Sequence, residues 1–152
     1  MIIYCAGAIR GDTTFQNNFL EIIKFLEAQG HTVLAELNGK FASSIPLTDR
    51  QIYTRDIKWI EGSQMMIAEI SGPSLGVGFE IAYALFQKKI PVLAVVTKKA
   101  KMLSAMIAGC NSELLTLKEY DNVEDLHSII NNYFEGSNKK SERKGIRFSV
   151  HQ

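Results

Sequence analysis

The feature that most constrains this chain is a regular exchange of short apolar runs with helical patterns. Residues 1–5, 32–36, 64–70, 91–96 and 114–117 read as strands. Between the first two, Phe15, Phe19, Ile22, Ile23 and Leu26 recur at helical spacing, and Gly30 closes that helix. Thr48-Asp49-Arg50-Gln51 is a capping box that opens a second helix ending near Gly62. Further helices are predicted over 76–88, 101–108 and 123–134, while 37–47, with Gly39, Ser43, Ser44 and Pro46, reads as a loop. The strand at 91–96 is apolar without a break, as expected of a central parallel strand covered on both faces.

Five strands alternating with helices predict an α/β domain with a parallel sheet between two helical layers. Right-handed crossovers make the doubly wound, flavodoxin-like strand order 2-1-3-4-5 the expected topology. Strands 1 and 3 then lie side by side at the switch point, where ligands bind beyond the carboxyl ends of the strands. The two glycine-bearing loops, 7–11 and 71–78, follow those two strands, so both are expected at one crevice.

The second loop runs into a helix as Ser74-Leu75-Gly76-Val77-Gly78. Free backbone N–H groups and the helix dipole favour an anion there, and glycine admits a phosphate close to the backbone. The stretch has neither the third glycine of a dinucleotide fingerprint nor the Gly-Lys-Ser/Thr of a P-loop, which favours a mononucleotide or sugar phosphate. Glu80, expected in the first turn of this helix, is either a carboxylate complementing the dipole or a nucleophile kept ionised by the same field.

Asp56 shares one helix face with Ile52 and Ile60, which puts a carboxyl on an apolar stripe where desolvation raises its pKa. It is either a structural acid paired with a nearby arginine or the protonable partner of Glu80 in retaining glycosidic chemistry. Tyr4, at the end of strand 1, is a core residue or a hydroxyl that orients a crevice carboxylate. Arg10 can meet phosphate or base, or simply solvent. Ser104, beside Met102, Leu103 and Met106, reads on its own as a surface serine or the edge of an interface.

Several classes fall away on composition. The 152 residues suit one domain, expected over 1–135, with a basic and mobile tail over 136–152 that holds Lys139, Lys140, Arg143, Lys144 and Arg147. The body is left mildly acidic, against a nucleic-acid-binding role. No apolar run reaches membrane-spanning length, and Cys5 and Cys110 make no disulfide framework. His31, His127 and His151 lack ligand spacing, so no metal site is expected. The default setting is a reducing one inside the cell, cytoplasmic with the nucleus left open.

At these residues the chain resembles the 2′-deoxynucleoside 5′-monophosphate N-glycosidases, hydrolytic relatives of the nucleoside 2-deoxyribosyltransferases. The matching pieces are YCAGAIRG at 4–11, DIKW at 56–59, AEI at 68–70, PSLGVGFE at 73–80 and LSAMIAG at 103–109. They occur in family order across most of residues 1–134. The resemblance implies a Rossmann-like domain that hydrolyses the N-glycosidic bond of deoxynucleoside monophosphates without a cofactor, as a homodimer, on a small nucleotide rather than a nucleic acid polymer. It implies Glu80 as the nucleophile that forms a deoxyribosyl-enzyme, Asp56 as the acid/base carboxyl and Tyr4 beside the nucleophile. Ser74 and Gly76 match phosphate-binding positions, as does Ser104, contributed across the subunit interface, and Met106 is implied among the substrate-binding residues. Gly7, Ile9, Arg10 and Gly11 fall on the first nucleotide-contacting loop.

The chain departs from the animal members at Ala8 for serine, Leu37 for histidine and Phe79 for tyrosine, and its loop before Thr48 is short. Those changes touch the base and sugar side, so base preference stays open. The rival readings are a transferase that passes deoxyribose to another base and a nucleotide-sensing module without turnover.

Overall fold

The computed structural model describes residues 1–145, with side chains described through residue 138. Five parallel strands, β1 (Ile2–Ala6), β2 (Thr32–Leu34), β3 (Met65–Glu69), β4 (Val92–Thr97) and β5 (Leu115–Tyr120), form one sheet in the order β2-β1-β3-β4-β5. This is the expected doubly wound order. The alternation of strand side chains divides the core into two layers. Ile3 and Cys5 of β1 face α1 (Gln16–Ala28) and α5 (Val123–Gly145), where they pack with Phe19, Ile22, Leu26, Leu126 and Ile130. Tyr4 and Ala6 face the other way, toward α2 (Asp49–Glu61) and α3 (Leu75–Ala82), and pack with Ile60, Val77 and Ile81. Every residue of β3 and β4 is buried, as a strand covered on both faces requires.

Local chemistry explains the helix starts that matter for the site. Thr48 caps α2 through a full capping box with Gln51, as its sequence predicts. Ser74 caps α3, its Oγ accepting from the Val77 N–H at 3.3 Å. The loop after β2 is closed by buried Asn38, which donates to the Val33 carbonyl and to Glu27, each at 2.8 Å.

Strand β2 ends at Leu34, short of 36, β5 runs on to Tyr120, past 117, and three helices differ from their expected form. The helix expected over 76–88 ends as α-helix at Ala82 and continues as a π turn, Tyr83–Lys88, which closes on Lys89 at φ 62°. The helix expected over 101–108 is confined to α4 (Ala105–Ala108). The closing helix passes Phe134 and runs to Gly145, so residue 135 lies inside α5. No proline follows Phe134 to stop the helix, and the polar stretch after it includes good helix formers such as Glu135, Lys139 and Lys140. Arg147 and His151 lie outside the described residues. Among the described residues no helix is long and apolar enough to cross a membrane.

Candidate active site

The two loops beyond β1 and β3 are packed backbone to backbone at the switch point. The Asp12 N–H donates to the Pro73 carbonyl at 3.0 Å. A Cβ on Gly11 would overlap that carbonyl, and one on Gly72 would overlap the Asp12 carbonyl, so only glycine permits the approach. Gly7 is likewise pressed onto the Phe19 ring. This contact sets the first loop against the N-terminus of α3, with Gly76 exposed in the first helical turn. Ile9 is half-buried on the same loop. Arg10 is exposed and pairs with exposed Asp49 at 3.2 Å, across the opening between that loop and the start of α2. A pair so open to solvent contributes little to stability.

Beneath the loops, three elements bring the predicted trio together. Tyr4 rises from β1 and is 2% exposed, Asp56 comes from the inner face of α2, and half-buried Glu80 comes from α3. The Tyr4 hydroxyl faces the carboxyls of both Glu80 and Asp56 and lowers the pKa of each. Burial, then the negative charge of Glu80 and Asp56, pushes the Tyr4 phenol far above its ordinary range, so it stays a neutral donor. Burial also pushes Glu80 up to about 7, reinforced by Asp56 and Glu36 and opposed by the Tyr4 hydrogen bond and Arg55. Asp56 is raised as well, again mainly by burial, with the Arg55 hydrogen bond and charge holding it down.

The expected cause of the Glu80 charge is therefore corrected. Glu80 was expected in the first turn of its helix, kept ionised by the dipole. The helix begins at Leu75 and its first turn holds no acidic residue, which places Glu80 beyond the reach of the N-terminal field. Desolvation outweighs what remains. It is Asp56 that has a fixed cation beside it: Arg55 Nε donates to Asp56 Oδ1 at 2.9 Å.

Arg55 is the nearby arginine that the sequence reading offered as a partner for Asp56, whereas Glu36 escapes that reading. Glu36, at the exit of β2, reaches Arg55 Nη2 at 3.6 Å and raises both site carboxyls. Arg55 itself lies over the Trp59 ring, 4.6 Å from its centroid, and Phe41 meets Trp59 edge-on. Arg55 and Trp59 stand four apart on α2, a spacing that places them on one helix face and is the one available signal for the stack. Nothing local points to Glu36, which enters only through the pairing of β1 with β2.

Ser104 and Met106 are placed elsewhere. With Ser74, Gly78, Phe86 and Met102 they line an apolar cavity of about 650 Å³ between α3 and α4, and none of Tyr4, Asp56 or Glu80 lines it. Within one chain, Ser104 thus shares a groove with the phosphate-loop serine and not with the carboxyls. Leu75, Phe79, Phe86, Met102 and Met106 are all more than half exposed. Among the described residues no three His, Cys, Asp or Glu side chains gather as metal ligands.

The doubly wound sheet, with Tyr4, Asp56 and Glu80 gathered near the switch point beside a glycine-bearing helix N-terminus, defines an α/β protein of the flavodoxin-like class. Residues 3–144 match the family model described as nucleoside 2-deoxyribosyltransferase, and the chain belongs to that family. It is 32% identical over 139 residues to a protein of Thermofilum pendens provisionally named a 2′-deoxynucleoside 5′-phosphate N-hydrolase, covering 90% of this chain and 97% of that one. It is 30% identical over 145 residues to the 5-hydroxymethyl-dUMP N-hydrolase of Esox lucius, covering 91% and 99%. Among solved structures, a CMP N-glycosidase of Clostridium botulinum superposes with a TM-score of 0.65 at 19% identity, over 86% of this chain and 98% of that one. That likeness is one of fold.

Proposed function

We propose that this protein hydrolyses the N-glycosidic bond of 2′-deoxynucleoside 5′-monophosphates, releasing free base and 2-deoxyribose 5-phosphate. The observation that carries the reading is the meeting of Tyr4, Asp56 and Glu80 beneath the Ser74-capped helix N-terminus. The names of the relatives, N-hydrolases of deoxynucleoside phosphates, point the same way.

In this scheme the phosphate rests on the free N–H groups around Ser74 and Gly76, while Gly7, Ile9, Arg10 and Gly11 border the nucleotide. In its ionised form, populated from about pH 7 upward, Glu80 attacks the anomeric carbon as the bond to the base breaks, and the Asp56 carboxyl, itself raised by burial, gives its proton to the departing base. A deoxyribosyl ester on Glu80 results. Water then attacks that ester, Asp56 takes the proton, and Glu80 leaves as the carboxylate. Tyr4, held neutral, donates to Glu80 and favours its ionised form. The reaction needs no cofactor, since two carboxyls supply both nucleophile and proton.

The protein acts as a homodimer in this reading. The exposed Phe86, Met102 and Met106 line the cavity that holds Ser104, and a second copy laid there covers them and brings Ser104 to the neighbouring site. Two free cysteines, one buried, suit a reducing compartment such as the cytoplasm.

Incubation with a panel of deoxy- and ribonucleoside monophosphates, with chromatographic detection of free base, tests the reaction. Release from the deoxy series, lost in Glu80→Ala, is expected. Release that requires an added acceptor base would make the protein a transferase. Tight nucleotide binding by both proteins without release would make it a sensor.

A further inference from the structure

Asp56 and Arg55 are neighbours in sequence, and adjacent residues on a helix ordinarily point away from each other. Here the guanidinium is turned back onto its neighbour, with Nε 2.9 Å from Asp56 Oδ1. Two contacts hold it there. Its planar face lies over Trp59, one turn along the helix, and Phe41 braces Trp59 from the loop after β2. Its far nitrogen, Nη2, is buried with no hydrogen bond inside 3.5 Å and faces Glu36 at 3.6 Å. The Arg55 side chain is 17% exposed and that of Asp56 12%, so the pair interacts in a poorly solvated setting where the charge is weakly screened.

We propose that Arg55 is the positioning residue of this site: clamped between Trp59 and Glu36, it fixes the Asp56 carboxyl in place and in charge, with Glu36 acting as its counterweight. This inference rests on the hydrolytic reading above and extends it to two residues that touch no reacting atom. The groups facing Asp56 are Tyr4 from β1, Glu36 from the exit of β2, Arg55 on its own helix and Glu80 from α3. Three carboxyls and one guanidinium leave the cluster short of positive charge. Removing the cation and removing the outlying anion must therefore act in opposite directions on both remaining carboxyls.

The arrangement also explains why lysine is no substitute. A lysine keeps the charge but has no planar face for Trp59 and no fork to span Asp56 and Glu36. The charge effect and the orientation effect are thus separable.

The test compares wild type with Arg55→Gln, Arg55→Lys and Glu36→Gln. In each, the Asp56 and Glu80 carboxyl carbons are titrated by NMR in the unliganded protein, and kcat/KM for a deoxynucleoside monophosphate is followed against pH. Arg55→Gln is expected to move both carboxyl titrations and the pH profile upward by about one unit or more. Glu36→Gln is expected to move them downward by less, because its carboxyl lies further off. Arg55→Lys is expected to keep the wild-type profile while kcat falls about tenfold or more for loss of a charge-assisted hydrogen bond in its oriented form.

Should Arg55→Gln fail to fold, Glu36→Gln and Arg55→Lys still decide the matter. Carboxyl titrations that coincide in wild type and Glu36→Gln, or an Arg55→Lys enzyme with full kcat, would overturn the inference. If wild type releases no base, the hydrolytic reading falls, while the titrations in unliganded protein still report on Arg55 and Glu36 separately.

Discussion

Replacing Glu80 by glutamine tests whether this site stores an unfavourable charge. In the folded protein burial pushes the Glu80 carboxyl from its ordinary 4.5 up to about 7. A group whose folded pKa is raised favours the folded state while it is protonated. That contribution is fully present below about pH 4.5 and is lost as pH rises through about 7. At about 1.4 kcal/mol per pH unit, the rise amounts to up to about 3 kcal/mol of penalty for folding with Glu80 ionised. Glutamine has nearly the same shape, keeps an oxygen to accept from Tyr4, and carries no charge. Glu80→Gln is therefore expected to match wild type in stability near pH 4.5 and to exceed it by up to about 3 kcal/mol at pH 8.5. In thermal unfolding the gap is expected to be on the order of 10 °C at the higher pH. Urea unfolding of both proteins at a series of pH values is the assay, since titrating groups away from the site are common to the two and cancel, leaving Glu80 and the neighbours its charge acts on. Parallel stability curves across the range would refute the reasoning and mean that water reaches Glu80 freely in the folded state. A more stable yet inactive variant is what a site held ready for nucleophilic attack predicts.

Two further substitutions probe the frame around the site. Gly11→Ala drives a Cβ into the Pro73 carbonyl, so it is expected to cost about 1–3 kcal/mol and to weaken phosphate binding together with stability, as read by urea unfolding and nucleotide titration. Tyr120→Phe removes the hydroxyl that donates to buried Glu69, whose other oxygen accepts from the Ser71 N–H at 2.6 Å. Burial already raises Glu69 and Tyr120 holds it down. The loss is expected to be about 1–3 kcal/mol and to shrink as falling pH protonates Glu69; a loss in urea unfolding that does not shrink toward low pH would refute the role given to its charge.

What the sequence determined by itself is what local periodicity and local hydrogen bonding can carry. The strand and helix alternation, and with it the order 2-1-3-4-5, was legible because each apolar face repeats within its own segment. The Thr48 capping box was legible because all its partners lie within four residues. Asp56 could be placed on an inner face because Ile52 and Ile60 flank it at helical spacing. The glycine loops could be assigned to one crevice because topology puts strands 1 and 3 together.

Tertiary structure alone decided the charge of the site and its full membership. The Glu80 carboxyl is governed by burial and by Tyr4, Asp56, Glu36 and Arg55, which arrive from three other parts of the chain. Helix position, the one influence visible in sequence, is the weaker because Glu80 stands past the first turn. Glu36 joins only because β2 pairs with β1 in a register that sets its exit beside α2. Ser104 shares a groove with Ser74 because α4 faces α3 across the cavity, a placement no periodicity encodes. Electrostatic interactions depend on distance through space and on the solvent that burial removes, and both are set when the chain has folded.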